Sequence, residues 1–270
     1  MIVVPPPLSA GETLAPGYEI IAHLHRSNNF DVYDVWSEER ACRCIAKALC
    51  PDLLDDQRTR RRLSREGRLL QRLTHPHIVR AYEILKQPHP VLILETLTGA
   101  TLAHLIDTSR RRLPLSDVVY LGFHLCSAIH YLHRHGILHL DLKPSNIVSE
   151  RQLAKLLDLS IARPPGKGIE GIGTANYMAP EQVRGDVLGA AADVWGIGAV
   201  LFEAATGEEA FGAYDEDETR YEQLERRAEP IRSYRRVPAA FSAAVGACLA
   251  PEPARRPTVE DLTGVLIKLA

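Results

Sequence analysis

The chain has 270 residues, of which 46% are hydrophobic, enough for one large domain or two small lobes with a sizeable core. The formal net charge of -2 argues against a general nucleic-acid binder and against a protein that binds anionic membranes. No uninterrupted apolar run approaches the ~18 residues that cross a bilayer, and the scattered cysteines are typical of reduced thiols, so we expect a soluble cytoplasmic protein.

The N-terminal third has the residue pattern of a small sheet with one helix. Residues 1–16 are rich in proline, glycine and small side chains and predict a flexible lead-in. An arginine-rich helix is expected at about 57–73. Strands are predicted at Tyr18–Leu24, Val32–Trp36, Cys44–Leu49, Ile78–Tyr82 and Val91–Glu95.

After residues 96–99 the pattern becomes helical. Helices are expected at about 101–108, 116–135, 191–206, 238–249 and 258–269, with another amphipathic segment at about 218–227. Ser116 is the predicted N-cap of the second helix. A β-rich part and a helical part joined near residues 95–100 predict an α+β protein with two lobes and a cleft, the usual place for a small ligand.

A carboxylate, an ammonium and an amide lie within six positions of one another at Asp141, Lys143 and Asn146. The β-compatible runs that follow Asn146 and precede Asp158 predict a hairpin, with a turn at 149–152, that returns Asp158 to the side of Asn146. A carboxylate and an amide oxygen so placed can share a divalent metal, and Asp141 is near enough to orient a hydroxyl. The arrangement indicates phosphoryl transfer.

These residues resemble the catalytic loop of protein kinases, and further motifs of that family follow in the same order. The segment Cys44-Ile45-Ala46-Lys47 resembles the family's phosphate-binding strand, and Gly173–Glu181 resembles the end of its activation segment. From about residue 18 to 269 the chain resembles a eukaryotic-like (Hanks-type) Ser/Thr protein kinase, as found in bacteria. The resemblance implies a bilobal kinase domain at 17–270, with an N-lobe at about 17–96, a hinge at about 95–100 and a C-lobe at about 100–270.

The resemblance also assigns chemical roles. Lys47, paired with Glu66, would bind the α- and β-phosphates of ATP. Asn146 and Asp158 would hold Mg²⁺, with Mn²⁺ as an alternative metal. The remaining implied site residues are Asp141 as the group that orients the substrate hydroxyl and accepts its proton, Lys143 at the γ-phosphoryl, Thr174 hydrogen-bonded to Asp141 or Lys143, and His25, Ser27, Val32, Glu95 and Leu97 around the nucleotide.

Two scaffold contacts follow from the same resemblance. Glu181 would pair with Arg256, and Asp193 would begin a buried helix that anchors the catalytic loop. Both would be structural.

The sequence departs from the family pattern in three places. The loop G-x-G-x-x-G-x-V appears as residues 25–32 without any of its glycines, and losing one or two backbone hydrogen bonds at about 0.5–1.5 kcal/mol each would weaken ATP binding roughly ten- to hundredfold. Leu140 stands where many kinases have an arginine that binds a phosphorylated activation loop, and residues 161–173 contain no Ser, Thr or Tyr. Ser160 replaces the glycine after the metal-binding aspartate and has less backbone freedom.

The first hypothesis is a Ser/Thr protein kinase that transfers the γ-phosphoryl of MgATP to a protein hydroxyl. The alternative is a pseudokinase that binds a nucleotide or a partner with little catalysis; a small-molecule kinase is a third reading, which the peptide-docking motif at 174–181 disfavours. The arginines of the predicted helix, Arg58 to Arg72, could bind an acidic partner or nucleic acid, or could form a solvated face.

Overall fold

The computed structural model describes residues 5–86, 88–109, 112–150, 153–212 and 221–270. Residues 1–4 of the predicted lead-in, Arg151 and Gln152 of the predicted hairpin turn, and residues 218–220 of the predicted amphipathic segment lie outside these ranges. The chain divides into two compact units, Met1–Thr98 and Gly99–Ala270.

The first unit contains a six-stranded antiparallel sheet. In sequence its strands are β1 (Thr13–Ala15), β2 (Tyr18–Arg26), β3 (Phe30–Ser37), β4 (Cys42–Leu49), β5 (Ala81–Leu85) and β6 (Val91–Glu95). In space their order is β1-β2-β3-β4-β6-β5. Alternating side chains of the central strands, such as Val35 and Ile93, are fully buried in the core of this unit.

Two predictions in this unit were wrong. The lead-in is not wholly without structure, because β1 lies within it and Gly11 and Glu12 exchange backbone hydrogen bonds with Ile20 at 2.8 and 2.9 Å. The strand predicted at 78–82 begins only at Ala81. Ile78 and Val79 are buried in the segment between the turn at 76–77 and the strand, and an apolar run alone does not distinguish such a buried segment from a strand.

Helix α1 (Gln57–Arg72) packs against the sheet, as predicted. Asp56 caps its N-terminus by accepting the backbone N–H of Thr59 at 2.7 Å. A Cβ on Gly67 would lie 2.6 Å from Cδ1 of Ile84, so the absence of a side chain allows the helix to approach β5 closely.

The second unit is mainly helical. Its helices are α2 (Leu102–Thr108), α3 (Leu115–Arg134), α4 (Pro180–Arg184), α5 (Ala190–Thr206), α6 (Ala239–Cys248) and α7 (Val259–Ile267). Short strands form two small sheets: β7 (Ala100–Thr101), β8 (Ile147–Glu150) and β9 (Leu153–Leu156) in one, β10 (Gly166–Lys167) and β11 (Val187–Leu188) in the other. Helix α5 is buried along most of its length and forms the centre of the unit, with α3 and α6 packed on it.

The predicted hairpin is present as β8 and β9, which pair Ile147 with Leu156. A hydrogen bond of 2.8 Å from the N–H of Leu157 to the carbonyl of Asn146 continues the pairing, so Asp158 follows directly beside Asn146. A Cβ at Gly99 would lie 1.8 Å from the carbonyl oxygen of Ser149, and only glycine therefore permits the chain to approach β8 at this point.

Two predictions in this unit also need correction. Ser116 is not the N-cap of α3: the helix begins at Leu115, Pro114 supplies the first carbonyl at 3.2 Å from the N–H of Val118, and the Ser116 hydroxyl bonds Asp117 instead. The described part of the 218–227 segment forms only a 3₁₀ turn at Glu222–Leu224.

The predicted α+β organisation, a β-rich part with one main helix followed by a helical part, is confirmed. Within the described ranges, none of the helices is at once long enough and apolar enough to span a lipid bilayer.

Candidate active site

In the first unit, Lys47 of β4 and Glu66 of α1 form a buried ion pair. The ammonium Nζ lies 3.0 and 2.9 Å from the two carboxylate oxygens. Lys47 is 8% exposed and Glu66 is 2% exposed, so each charge depends on the other for stabilisation. The contact that the sequence implied is present.

A tight turn joins β2 to β3 at the position of the expected glycine-rich loop. Its amides are satisfied by the Ser27 hydroxyl, which accepts the N–H of Phe30 at 3.1 Å. Below the turn, Arg26 makes two hydrogen bonds of 2.7 Å to the buried Asp31 carboxylate, and His23 makes a third at 2.9 Å. Burial alone would raise the pKa of Asp31, but the hydrogen bonds from Arg26 and His23 outweigh it and hold that pKa below its ordinary value. The turn is therefore braced by side chains.

The other predicted nucleotide contacts lie around the same sheet. His25 and Ser27 are exposed, and Val32 is half-buried directly opposite Lys47 in the β3–β4 register. Glu95 and Leu97 are half-buried at the end of β6, where the Glu95 carboxylate accepts the N–H of Arg80 at 2.9 Å.

Sequence reasoning missed Phe30 as a neighbour of the lysine. Its ring centroid lies 4.8 Å from Nζ of Lys47, within cation–π range. The strand pattern indicated only that Phe30 and Val32, two residues apart, share a face of the sheet. That this face also carries Lys47 follows from the register of β3 and β4, which the local pattern does not specify.

In the second unit, the side chains of Asp141, Lys143 and Thr174 are joined in a closed network. The Thr174 hydroxyl donates to Oδ1 of Asp141 at 2.7 Å and accepts from Nζ of Lys143 at 2.7 Å. Nζ of Lys143 also lies 3.3 Å from Oδ2 of Asp141. The resemblance implied a hydrogen bond from Thr174 to Asp141 or to Lys143, and Thr174 bonds both.

Asn146 is oriented by the same aspartate. Its Nδ2 donates to the Asp141 carbonyl at 2.9 Å and to Oδ2 at 3.0 Å, which directs its Oδ1 away from Asp141. Asp158 follows beside it with a left-handed φ of 36°, and its Oδ1 accepts the N–H of Ser160 at 2.9 Å. The site thus offers one amide and one carboxylate oxygen, donors of the hard type that Mg²⁺ prefers.

Those two donors fit a metal that is held jointly with a phosphate. Among the described residues, no group of three or more His, Cys, Asp or Glu side chains could hold a metal ion. Proteins ordinarily bind Mg²⁺ through one or two side chains, mostly carboxylates, and substrate phosphates supply further oxygens. The Asp158 carboxylate and the Asn146 amide oxygen provide two such side-chain donors.

The buried carboxylate of Asp193, at the start of α5, fixes the backbone of the catalytic segment. It accepts the N–H groups of His139 at 2.9 Å and Leu140 at 2.8 Å. Leu140 has a φ of 67°, which a non-glycine residue seldom adopts, and its carbonyl accepts Nε2 of Gln182 at 2.9 Å. The anchoring role expected for Asp193 is confirmed in these contacts, and Gln182 is an anchor that sequence reasoning missed.

The segment between Asp158 and α4 is held by backbone pairing. Leu138 and Arg163 exchange hydrogen bonds of 2.8 and 3.0 Å, and β10 pairs with β11. The expected Glu181–Arg256 ion pair is present, bidentate at 2.6 and 2.8 Å, and both side chains are buried.

An acidic cluster near Thr174 was also missed. The Tyr177 hydroxyl donates to Glu203 at 2.6 Å and lies 3.3 Å from Glu209. Burial raises the pKa of Glu203 to about 7, and the hydrogen bond from Tyr177 opposes that shift without cancelling it. Glu203 lies within a strongly apolar helical segment, and nothing in that local sequence predicts its hydrogen bond with Tyr177.

Comparison with known proteins agrees with this geometry. The protein kinase domain family matches residues 18–265. Serine/threonine-protein kinase PknB of Mycolicibacterium smegmatis is 32% identical over 240 residues, which are 83% of this chain and 38% of that protein. The DNA damage-responsive serine/threonine-protein kinase RqkA of Deinococcus radiodurans is 30% identical over 228 residues, 81% of this chain and 34% of that protein. The chain therefore spans only about a third of the length of these two relatives.

A solved structure shows the same fold. The crystal structure of the Mycobacterium tuberculosis PknI kinase domain superposes with a TM-score of 0.76 at 23% identity, covering 98% of this chain and 100% of that one. The predicted protein kinase fold is confirmed. Because the family match covers residues 18–265, nearly the whole sequence, this chain belongs to the protein kinase domain family, and PknB and RqkA, which it resembles, are bacterial Ser/Thr kinases.

Proposed function

We propose that this protein is a Ser/Thr protein kinase, a transferase that moves the γ-phosphoryl of MgATP to a serine or threonine hydroxyl of another protein. The observation that carries the proposal is the network of Asp141, Lys143 and Thr174. A module that only binds a nucleotide has no need of a carboxylate poised beside a lysine and a threonine hydroxyl.

The roles follow from charge. Lys47, stabilised by Glu66, would neutralise the α- and β-phosphates, and Lys143 would neutralise charge on the γ-phosphoryl. Asp141 would orient the attacking hydroxyl and accept its proton. Asn146 and Asp158 would hold Mg²⁺, or Mn²⁺ in its place, and the bound metal would neutralise phosphate charge as the bond to the leaving group breaks.

Nucleotide affinity is proposed to be lower than is usual for the family. The turn between β2 and β3 uses the Ser27 hydroxyl to satisfy its own amides, so these amides are not available to phosphate oxygens in this conformation. His25, Ser27, Val32, Glu95 and Leu97 remain the proposed contacts to the nucleotide.

Activation is proposed not to need phosphorylation of the segment at 161–173, which lacks an acceptor hydroxyl. Leu140 is buried and cannot pair with a phosphate. The segment is already held by the Leu138–Arg163 bridge and by the pairing of β10 with β11. Phosphopeptide mapping that found Thr174 or Ser160 modified, with activity rising as a result, would contradict this proposal.

An acidic protein partner at helix α1 is proposed as well. Several arginines on this helix are exposed, and two of them, Arg61 and Arg68, line a shallow pocket of about 230 Å³ together with Lys86. Such a cationic surface favours an acidic peptide. Binding of a labelled polyglutamate peptide that is unchanged by Arg61→Gln with Arg68→Gln would exclude this surface.

The decisive experiment is a transfer assay with radiolabelled ATP, Mg²⁺ and a generic Ser/Thr protein substrate. We expect phosphate incorporation by the wild type and a loss of at least about a hundredfold in Asp141→Asn, which keeps the size of the side chain but cannot accept the proton. Incorporation should appear on serine or threonine after acid hydrolysis.

The pseudokinase alternative gives a different result. If the wild type and Asp141→Asn transferred phosphate equally little while ATP still raised the melting temperature, the protein would be a nucleotide-binding module. If the wild type transferred no phosphate and ATP did not raise its melting temperature, the kinase and the nucleotide-binding module would both be excluded, and the partner-binding form of the pseudokinase would remain.

A further inference from the structure

The ring of Phe30 covers the ammonium group of Lys47. In the antiparallel register of β3 and β4, Val32 lies opposite Lys47 and Phe30 lies opposite Leu49. Because side chains alternate along a strand, Phe30 is a diagonal neighbour of Lys47 on one face of the sheet. The distance of 4.8 Å from Nζ to the ring centroid gives a cation–π contact.

The contact is buried together with the ion pair. Phe30 is 5% exposed, Lys47 is 8% exposed and Glu66 is 2% exposed. Nζ gives hydrogen bonds to both oxygens of Glu66 while the ring lies against it. A phosphate oxygen that binds Nζ must therefore displace the ring from its position beside the ammonium group.

The backbone beneath the ring is firmly held. On one side, the backbone N–H of Ser27 donates to the carbonyl of Phe30 at 2.9 Å and the Ser27 hydroxyl bonds the carbonyl and the N–H of the same residue. On the other side, the carbonyl of Asn29 accepts the N–H of Cys50 at 3.0 Å. The ring cannot be carried off Lys47 by a small shift of the turn without breaking these bonds. Movement of the ring away from Lys47 therefore requires rotation about its own side-chain bonds.

We propose that Phe30 determines the affinity of this protein for nucleotide phosphates, as an aromatic cover that must leave Lys47 before a phosphate can bind there. The inference rests on the proposed use of ATP. It predicts that the triphosphate group raises the affinity of MgATP over that of adenosine by a smaller factor than it would if Lys47 were uncovered. The nucleoside part of ATP does not need Lys47 and is unaffected.

Calorimetric titration with MgATP and with adenosine tests the proposal. Removing the ring in Phe30→Ala should raise MgATP affinity roughly 2- to 30-fold, the factor that corresponds to a cation–π contact of about 0.5–2 kcal/mol. Adenosine affinity should change by less than about twofold, the size of effect that is usual for substitutions that remove no specific interaction. Phe30→Leu, which keeps most of the apolar volume without an aromatic face, should shift MgATP affinity in the same direction and serves if Phe30→Ala fails to fold.

Tyr33→Leu is the matched control, because Tyr33 is a buried aromatic residue of the same strand on the opposite face of the sheet. It should leave the ratio of MgATP to adenosine affinity unchanged. The proposal is overturned if a folded Phe30 variant binds MgATP no more tightly than the wild type, or if adenosine affinity rises equally. Either result leaves the proposed use of ATP intact as long as the wild type binds MgATP. If neither the wild type nor any variant binds MgATP, the proposed function itself fails and the inference fails with it.

Discussion

The carboxylate of Asp193 lies 2.8 Å from the backbone nitrogen of Leu140 and stabilises a residue whose φ is 67°. A left-handed backbone at a leucine costs of order 1–3 kcal/mol and persists only where its surroundings enforce it. The same carboxylate accepts the N–H of His139 and a hydrogen bond from the His133 ring. The loop that carries Asp141 therefore depends on a buried carboxylate at the start of helix α5.

We expect Asp193→Asn to lower the free energy of unfolding by about 1.5–3 kcal/mol, because one amide oxygen cannot replace both carboxylate oxygens as acceptors. Urea unfolding of the variant and the wild type measures the change. Asp186→Asn, at an exposed position, is the control and should change stability by less than about 0.5 kcal/mol. Equal midpoints for wild type and Asp193→Asn would show that the anchor is dispensable.

Substitution of Lys47 alone is expected to destabilise the fold. Lys47→Met removes the ammonium group that pairs with the buried Glu66 carboxylate, and breaking a buried ion pair in this way costs about 3–5 kcal/mol. Replacing both residues, in Lys47→Met with Glu66→Leu, should restore most of the stability while phosphate transfer stays absent. Thermal unfolding and the transfer assay on the same samples separate the two effects.

The single variant would otherwise be misread, because a protein that unfolds also loses activity. If the double variant were as unstable as Lys47→Met, the buried pair would have a packing role that two apolar side chains cannot take over. If it regained transfer activity, the proposed role of Lys47 would be wrong.

Much of this fold could be predicted from residue pattern. Alternating apolar residues located the central strands, and helical spacing located α1, α3 and α5 to within about two residues. The hairpin of β8 and β9 followed from two apolar runs around a polar turn. Elements stabilised mainly by backbone bonds could not be found in this way: β1 has no apolar alternation and exists because it pairs with Tyr18 and Glu19.

The candidate site shows the same division. Motif spacing indicated Asp141, Asn146 and Asp158, since each is close in sequence to the next. The position of Phe30 beside Lys47 depends on the register between two strands, which no local pattern specifies. The meeting of Tyr177 with Glu203 depends on how α5 packs, and that is a property of the whole second unit.

Removing the hydroxyl of Thr174 should impair catalysis more than nucleotide binding. Thr174→Val keeps the shape of the side chain but cannot link Asp141 to Lys143, and a lost hydrogen bond to a charged group corresponds to roughly a tenfold or greater fall in kcat. The KM for ATP should change little. Thr174→Ser retains the hydroxyl and should keep most of the activity; a Thr174→Val enzyme with wild-type kcat would show that the network is not used in transfer.

Stability is expected to depend on pH through Glu203. Burial raises its pKa from about 4.5 to about 7, with Glu209 and Asp107 adding to the rise and the Tyr177 hydrogen bond opposing it. The folded protein therefore holds the proton more tightly than the unfolded chain does. The stabilisation from this group is complete below about pH 4.5 and is lost as the pH rises through about 7.

Glu203→Gln removes this titration because the amide stays neutral at every pH. The melting temperature of the variant minus that of the wild type should therefore increase from about pH 5 to about pH 8, whether the difference at pH 5 is positive or negative. The exposed Glu229 gives the control, and Glu229→Gln should follow the wild-type profile. Parallel profiles for wild type and Glu203→Gln would mean that Glu203 is ionised throughout this range, stabilised by Tyr177 despite its burial.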